Sequence, residues 1–189
     1  MIGFFGGSFD PVHYGHLKMA RAIKKELGLN QLFLMPCKAP VHKKGLQFSN
    51  QQRLEMLNLA LVEFNELQID TREMDRESAS WTIDTLKEIK ADYPNETIFL
   101  IIGADSFDTL NTWKDYQQFK NYAQLAVLPR SPLARSVRDV RGSTSYKGVY
   151  FAKMPLVSVS STEIHAKIGG HQDLSGLLPE SLINYIRAL

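Results

Sequence analysis

The 189 residues suffice for one domain with a sizeable core and are short for two; 44% hydrophobic and 22% charged residues describe an ordinary globular chain. The net charge of +2 comes from interspersed acids and bases, which argues against the clustered basic face of a nucleic-acid-binding protein; one basic cluster, Arg130, Arg135, Arg138 and Arg141, reads equally as a solvated loop or a phosphate contact. No apolar run approaches the roughly 20 residues that span a bilayer, the N-terminus lacks a signal-peptide pattern, and Cys37 is the single cysteine, so a cytoplasmic protein with no membrane partner is expected.

In chain order, Ile2 to Phe5 reads as a buried strand, followed by a glycine-rich turn and a helix from Tyr14 to Leu27. Leu17, Ala20, Ile23 and Leu27 of that helix share a stripe, and Gly28 is its stop signal. Leu32 to Met35 is a second strand, and the proline-punctuated stretch from Pro36 to Phe48 a loop. Ser49 and Gln52 form a capping box that opens the next helix. A short strand follows at Leu67 to Ile69, a helix at Trp81 to Ala91, and an apolar strand at Thr97 to Ile102 ended by Gly103. A helical region is expected over Trp113 to Phe119, then strands at Leu125 to Leu128 and Val149 to Ala152. Ser160 with Glu163 opens a helix that Gly169-Gly170 ends, and a last helix begins at Pro179. Alternating strands and helices imply one domain over residues 1–189: a Rossmann-like, doubly wound, mostly parallel sheet with helices on both faces. Such sheets bind ligands at the carboxyl ends of their strands, so segments just after strands should converge.

Residues 6 to 16 read Gly-Gly-Ser-Phe-Asp-Pro-Val-His-Tyr-Gly-His, between a strand and an amphipathic helix. Gly6 and Gly7 let the backbone approach a ligand, and the helix start turns its free N–H groups toward the same place, which makes an anion site. His13 and His16, three residues apart, share a face there and can donate hydrogen bonds to phosphate oxygens. Nucleotidyl transfer asks for little more than such positioning and charge stabilisation.

This string resembles the signature of the nucleotidyltransferase superfamily, His-x-Gly-His, here His13-Tyr14-Gly15-His16. The resemblance implies that both histidines contact the ATP phosphates, with His16 most tied to catalysis, and that Gly6, Gly7, Ser8 and Phe9 belong to the ATP site. Along nearly the whole chain the sequence is similar to the bacterial nicotinate-nucleotide adenylyltransferases. Pro40-Val41-His42-Lys43 resembles that family's basic loop near the phosphates, which gives His42 and Lys43 a substrate contact. Ser80-Trp81-Thr82 resembles its Ser-Tyr-Thr helix start, whose amides hold the nicotinate carboxylate; tryptophan here replaces the usual tyrosine. Ile102-Gly103-Ala104-Asp105 resembles the segment whose glycine and aspartate bind the nucleotides. Trp113 matches a tryptophan that stacks on the pyridine, and Arg130 an arginine near the substrate. Ser160-Ser161-Thr162-Glu163-Ile164-His165 resembles the second superfamily motif, which grips the triphosphate. Where that motif has arginine this chain has His165. Arginine is always charged and offers a planar fork, whereas the charge of histidine comes and goes near neutrality.

The resemblance thus implies AMP transfer from ATP to nicotinate mononucleotide. A magnesium ion is expected to bridge the ATP phosphates and help pyrophosphate leave. No cluster of acids would cage it, so ATP and water supply most of its ligands; Asp10 is a candidate for that shell and equally part of an ordinary Asp-Pro turn. Three alternatives stand beside this reading. One is a sister transferase acting on nicotinamide mononucleotide, phosphopantetheine or a CTP-linked substrate. Another is a non-catalytic nucleotide-binding relative, and a homo-oligomer is compatible with either reading. The last, a fragment of a class I aminoacyl-tRNA synthetase, suits neither the chain length nor Ser160 to Thr162.

Overall fold

A computed structural model describes residues 1–38, 45–129, 148–155 and 157–189. The first apolar run forms β1 (Ile2–Gly7). Gly6 and Gly7 are not the turn that the sequence suggests: they continue the strand, in register with Met35 and Pro36, and the chain turns only beyond them. Helix α1 (Tyr14–Leu27) has the expected limits, buries Leu17, Ala20 and Ile23, and ends on Gly28 at φ 63°. Strand β2 (Gln31–Pro36) follows, then α2 (Asn50–Ala60), whose start is fixed by the full Ser49–Gln52 capping box.

Strand β3 is only Gln68–Ile69. The single turn α3 (Arg72–Asp75) is too short to leave a periodicity in the sequence. Helix α4 (Thr82–Asp92) takes Trp81 as its N-cap. Strand β4 (Ile98–Gly103) runs directly into α5 (Ala104–Asp108). The helix expected over Trp113 to Phe119 is instead two 3-10 turns, Leu110–Thr112 and Tyr116–Asn121, with Trp113 and Lys114 in the link between them. Strands β5 (Gln124–Leu128) and β6 (Val149–Phe151) come next. Helix α6 (Ser161–Gly169) starts at the Ser160 cap, and in α7 (Glu180–Arg187) Pro179 is the cap rather than the first helical residue.

All six strands lie in one parallel sheet, in the order β3-β2-β1-β4-β5-β6. Side chains alternate along each strand, so the sheet feeds two cores. Phe5, Leu32, Leu34, Phe99, Ile101 and Ala126 pack with α1, α2 and α7 on one face. Phe4, Phe33, Met35, Leu100, Ile102 and Val127 pack with α4, Phe107 and Phe119 on the other. The chain builds outward from β1 to β3, then returns to the opposite side of β1 to lay down β4. That reversal leaves a crevice outside the carboxyl ends of β1 and β4. Among the described residues no helix is long and apolar enough to cross a membrane.

Candidate active site

A cavity of about 580 Å³ opens in that crevice. Gly6, Gly7 and Ser8 from the end of β1, His13 and His16 from the start of α1, and Gly103 and Asp105 from the β4–α5 junction all line it. So do Ser80, Trp81 and Thr82 at the start of α4, Trp113, and Ser160, Ser161 and Thr162 at the start of α6. Segments more than a hundred residues apart in sequence therefore converge as a doubly wound sheet requires.

His13 is the N-cap of α1, and its Nδ1 accepts from the His16 backbone N–H at 3.3 Å. That bond leaves Nε2 as the N–H donor of the neutral ring. Only 4% of His13 is exposed, and burial lowers its pKa from 6.5 to about 4. The His13 and His16 rings stack with centroids 3.7 Å apart. Gly15, between them, is required by close approach: a Cβ there would lie 2.8 Å from the His13 ring and 2.9 Å from the Val159 backbone oxygen. The first motif is thereby seated against the residue preceding the second. The side chain of Phe9, expected at the ATP site, is fully buried, its ring edge-on to His16 at 5.0 Å. Its backbone is left-handed, φ 45°, a conformation that costs a bulky residue roughly 1–3 kcal/mol and is held here by the packing of the ring.

At the second motif the Ser160 Oγ accepts from the Glu163 N–H at 3.2 Å, and the Ser161 hydroxyl reaches the Pro11 carbonyl at 3.4 Å. His165 does not face the main cavity. It lines a smaller one of about 260 Å³ together with Ser8, Asp10, Ser161 and Thr162. Its Nε2 lies 2.6 Å from the Asp10 carbonyl oxygen and 3.6 Å from Asp10 Oδ2. The Asp10 carboxylate itself accepts from the backbone N–H groups of Gln47 and Phe48, at 3.0 and 2.9 Å.

At the other end of the cavity, the α4 backbone ladder begins with Asp84 and Thr85 donating to Trp81. The first-turn amides of Thr82 and Ile83 precede that ladder and suit an anion. The Ser80 hydroxyl is committed to the Glu73 carbonyl at 3.0 Å. Trp113 stands edge-on to Phe119, and its Nε1 is buried without a hydrogen-bond partner among the described residues. His42, Lys43 and Arg130, with Arg135, Arg138 and Arg141, lie outside the described residues.

Several residues that the sequence did not single out belong to this neighbourhood. Glu73, Cys37 and Lys114 line the cavity. Burial raises the pKa of Glu73, whose Oε1 accepts from Thr85 Oγ1 at 2.8 Å. Arg53, fully buried, donates to the carbonyls of Ser8, Cys37 and Lys38 and to Asn50 Oδ1. It pins the loops that leave β1 and β2, and burial lowers its pKa. Two sequence signals pointed this way: Cys37 follows a strand end, and Lys114 follows Trp113. A buried carboxyl or guanidinium inside a helical pattern leaves no such mark.

The sequence model of the cytidylyltransferase-like family matches residues 4–167. A protein of Vesicomyosocius okutanii named "probable nicotinate-nucleotide adenylyltransferase" is 48% identical over 100% of this chain and 95% of its own length. One of the same name from Pseudomonas aeruginosa strain PAO1 is 34% identical, over 99% and 94%. Among solved structures, the Plasmodium falciparum nicotinic acid mononucleotide adenylyltransferase complexed with NaAD superimposes with a TM-score of 0.82 at 18% identity, over 99% of this chain and 94% of that one. At that identity the likeness bears on the fold alone.

Proposed function

We propose that this chain, which belongs to the cytidylyltransferase-like family and within it to the nicotinate-nucleotide adenylyltransferases, transfers AMP from ATP to nicotinate mononucleotide, giving nicotinate adenine dinucleotide and pyrophosphate. It is thereby an enzyme of NAD biosynthesis. The observation that carries the reading is the stacked His13–His16 pair at the start of α1, facing a cavity that the starts of α4, α5 and α6 also face.

The chemistry follows from charge. A phosphate oxygen of the mononucleotide forms a bond to the α-phosphorus of ATP as the bond from that phosphorus to the bridging oxygen breaks. Pyrophosphate leaves with the electron pair. The attacking phosphate is already anionic near neutrality, so no general base is needed, and a histidine with pKa about 4 suits this. Neutral His13 donates through Nε2 and does not exchange protons during the step. His16 beside it, and the amides at the starts of α1 and α6, stabilise the charge gathering on the phosphoryl oxygens. Gly6, Gly7, Ser8, Gly103 and Asp105 complete the ATP site, with Ser160, Ser161 and Thr162 along the triphosphate. Trp113 offers its ring to the pyridine, and the α4 start that Trp81 caps receives the carboxylate on the first-turn amides of Thr82 and Ile83. Through the family resemblance His42 and Lys43 remain assigned to the loop near the phosphates and Arg130 to the substrate.

Magnesium enters as part of the nucleotide substrate. The Asp10 carboxylate is occupied by two backbone amides, and the described residues contain no group of three or more metal-ligating side chains. Such a donor set suits an ion that arrives on ATP with its own waters. The lone Cys37 fits a cytoplasmic setting.

ATP labelled at its α-phosphate tests the reaction. The label is expected in a dinucleotide of the mass of nicotinate adenine dinucleotide, and none in pyrophosphate. Label absent from any dinucleotide, or recovered only in AMP, would refute the transfer.

A further inference from the structure

Among the described residues that line the cavity, Lys114 is a cation the reaction as described leaves unused. It lines the cavity from the link between the two 3-10 turns, directly after Trp113. Its Nζ lies 5.4 Å from the centroid of the Trp81 ring and 3.8 Å from Asp84 Oδ2. Trp81 is the N-cap of α4 and Asp84 the acid of its first turn. Lys114 is therefore held over the helix start to which the substrate carboxylate is assigned.

An acid in the first turn of a helix complements the helix dipole. Here the same acid opposes a second carboxylate arriving at that helix end, because like charges a few ångströms apart disfavour each other. The surroundings show how this conflict is met. Lys87 Nζ, one turn further along α4, lies 4.0 Å from Asp84 Oδ1. Arg76 is committed to Thr85 Oγ1 and Glu88. Glu73, the other acid at this end, is buried and accepts from Thr85. Lys114 is half exposed on a flexible stem, and its two neighbours are a weak ion pair and an aromatic face. Its ammonium can turn toward a carboxylate without breaking a strong bond.

We propose that Lys114 is a specificity-determining residue: resting on the Trp81 ring, it offsets Asp84 and favours a pyridine carboxylate over the corresponding carboxamide. This rests on the assigned reaction and deepens it. The effect belongs to the substrate's charged group, so it should appear in binding of the acid and leave the chemical step alone.

The test compares wild type, Lys114→Met, Lys114→Arg and Lys114→Met with Asp84→Asn, measuring kcat and KM for nicotinate mononucleotide. The same is measured for nicotinamide mononucleotide, or its Ki as a competitor where turnover is slow. Lys114→Met keeps the aliphatic stem at a half-exposed position, so the fold should survive. The expected result is a KM for the acid raised about five- to tenfold with kcat within about twofold, and amide constants unmoved. Lys114→Arg should restore the acid KM, and Asp84→Asn should recover most of the loss in the double variant. Equal changes for both substrates, or none for either, overturn the inference while leaving the reaction standing. A wild type that adenylates neither mononucleotide overturns the reaction and the inference with it.

Discussion

His13 shows how one side chain can serve structure and site together. Its Nδ1 caps α1, its ring supports His16, and its burial lowers the pKa to about 4. The folded protein thus refuses a proton that the unfolded chain, with a histidine pKa near 6.5, accepts. Between those values the unfolded state binds more protons, so stability rises with pH. The contribution is fully present above pH 6.5 and is lost as pH falls toward 4, by on the order of 3 kcal/mol in all. Urea unfolding between pH 7 and 4.5 should show this slope in the wild type and a shallower one in His13→Asn, which keeps a capping side chain without the titration. Equal slopes would contradict the assignment. The two histidines were legible in the sequence because their spacing beside a helix start is distinctive. That His13 caps the helix and stays neutral was not, since it depends on what covers the ring.

Among elements, the informative contact is between the start of α1 and the segment before α6. The Cβ positions at Gly15 explain why the residue between the histidines has no side chain: alanine would press on the His13 ring and, less forgivingly, on the Val159 backbone oxygen. Gly15→Ala should lower kcat at least 100-fold, because shifting catalytic donors by about 1 Å is that costly, with a smaller change in thermal midpoint. Steady-state rates and a melting curve on the same preparation decide this; kcat within threefold of wild type would mean the two motifs are not seated against each other. Most elements were readable from period and caps: α1 from its apolar stripe and Gly28, α2 from the Ser49–Gln52 box. The failures share a cause. α3 and the 3-10 turns around Trp113 are too short to express a helical period, and Gly6-Gly7 read as a turn because glycine is weak evidence for a strand even where a neighbouring strand, here β2, pairs with it.

At the scale of the molecule, the all-parallel sheet with its reversal beside β1 determines where ligands can bind; the alternation of apolar and amphipathic segments was enough to foresee a doubly wound, mostly parallel sheet, but not its strand order. The site is a different matter. His13, His16, Trp113 and the serines of the second motif could be assigned from short strings, whereas Arg53 and Glu73 became visible only when the fold brought distant segments together. His165 is intermediate: its place in the second motif was plain, but its partner Asp10 and its smaller cavity were not. The central claim is that this crevice adenylates nicotinate mononucleotide with His16 at its centre. The most direct test is pyrophosphate release by the purified protein with magnesium and ATP, comparing nicotinate mononucleotide, nicotinamide mononucleotide and phosphopantetheine, with His16→Ala as control. The account predicts release with nicotinate mononucleotide well above the other two and its loss in the variant; release that favours another acceptor, or that survives His16→Ala, would contradict it.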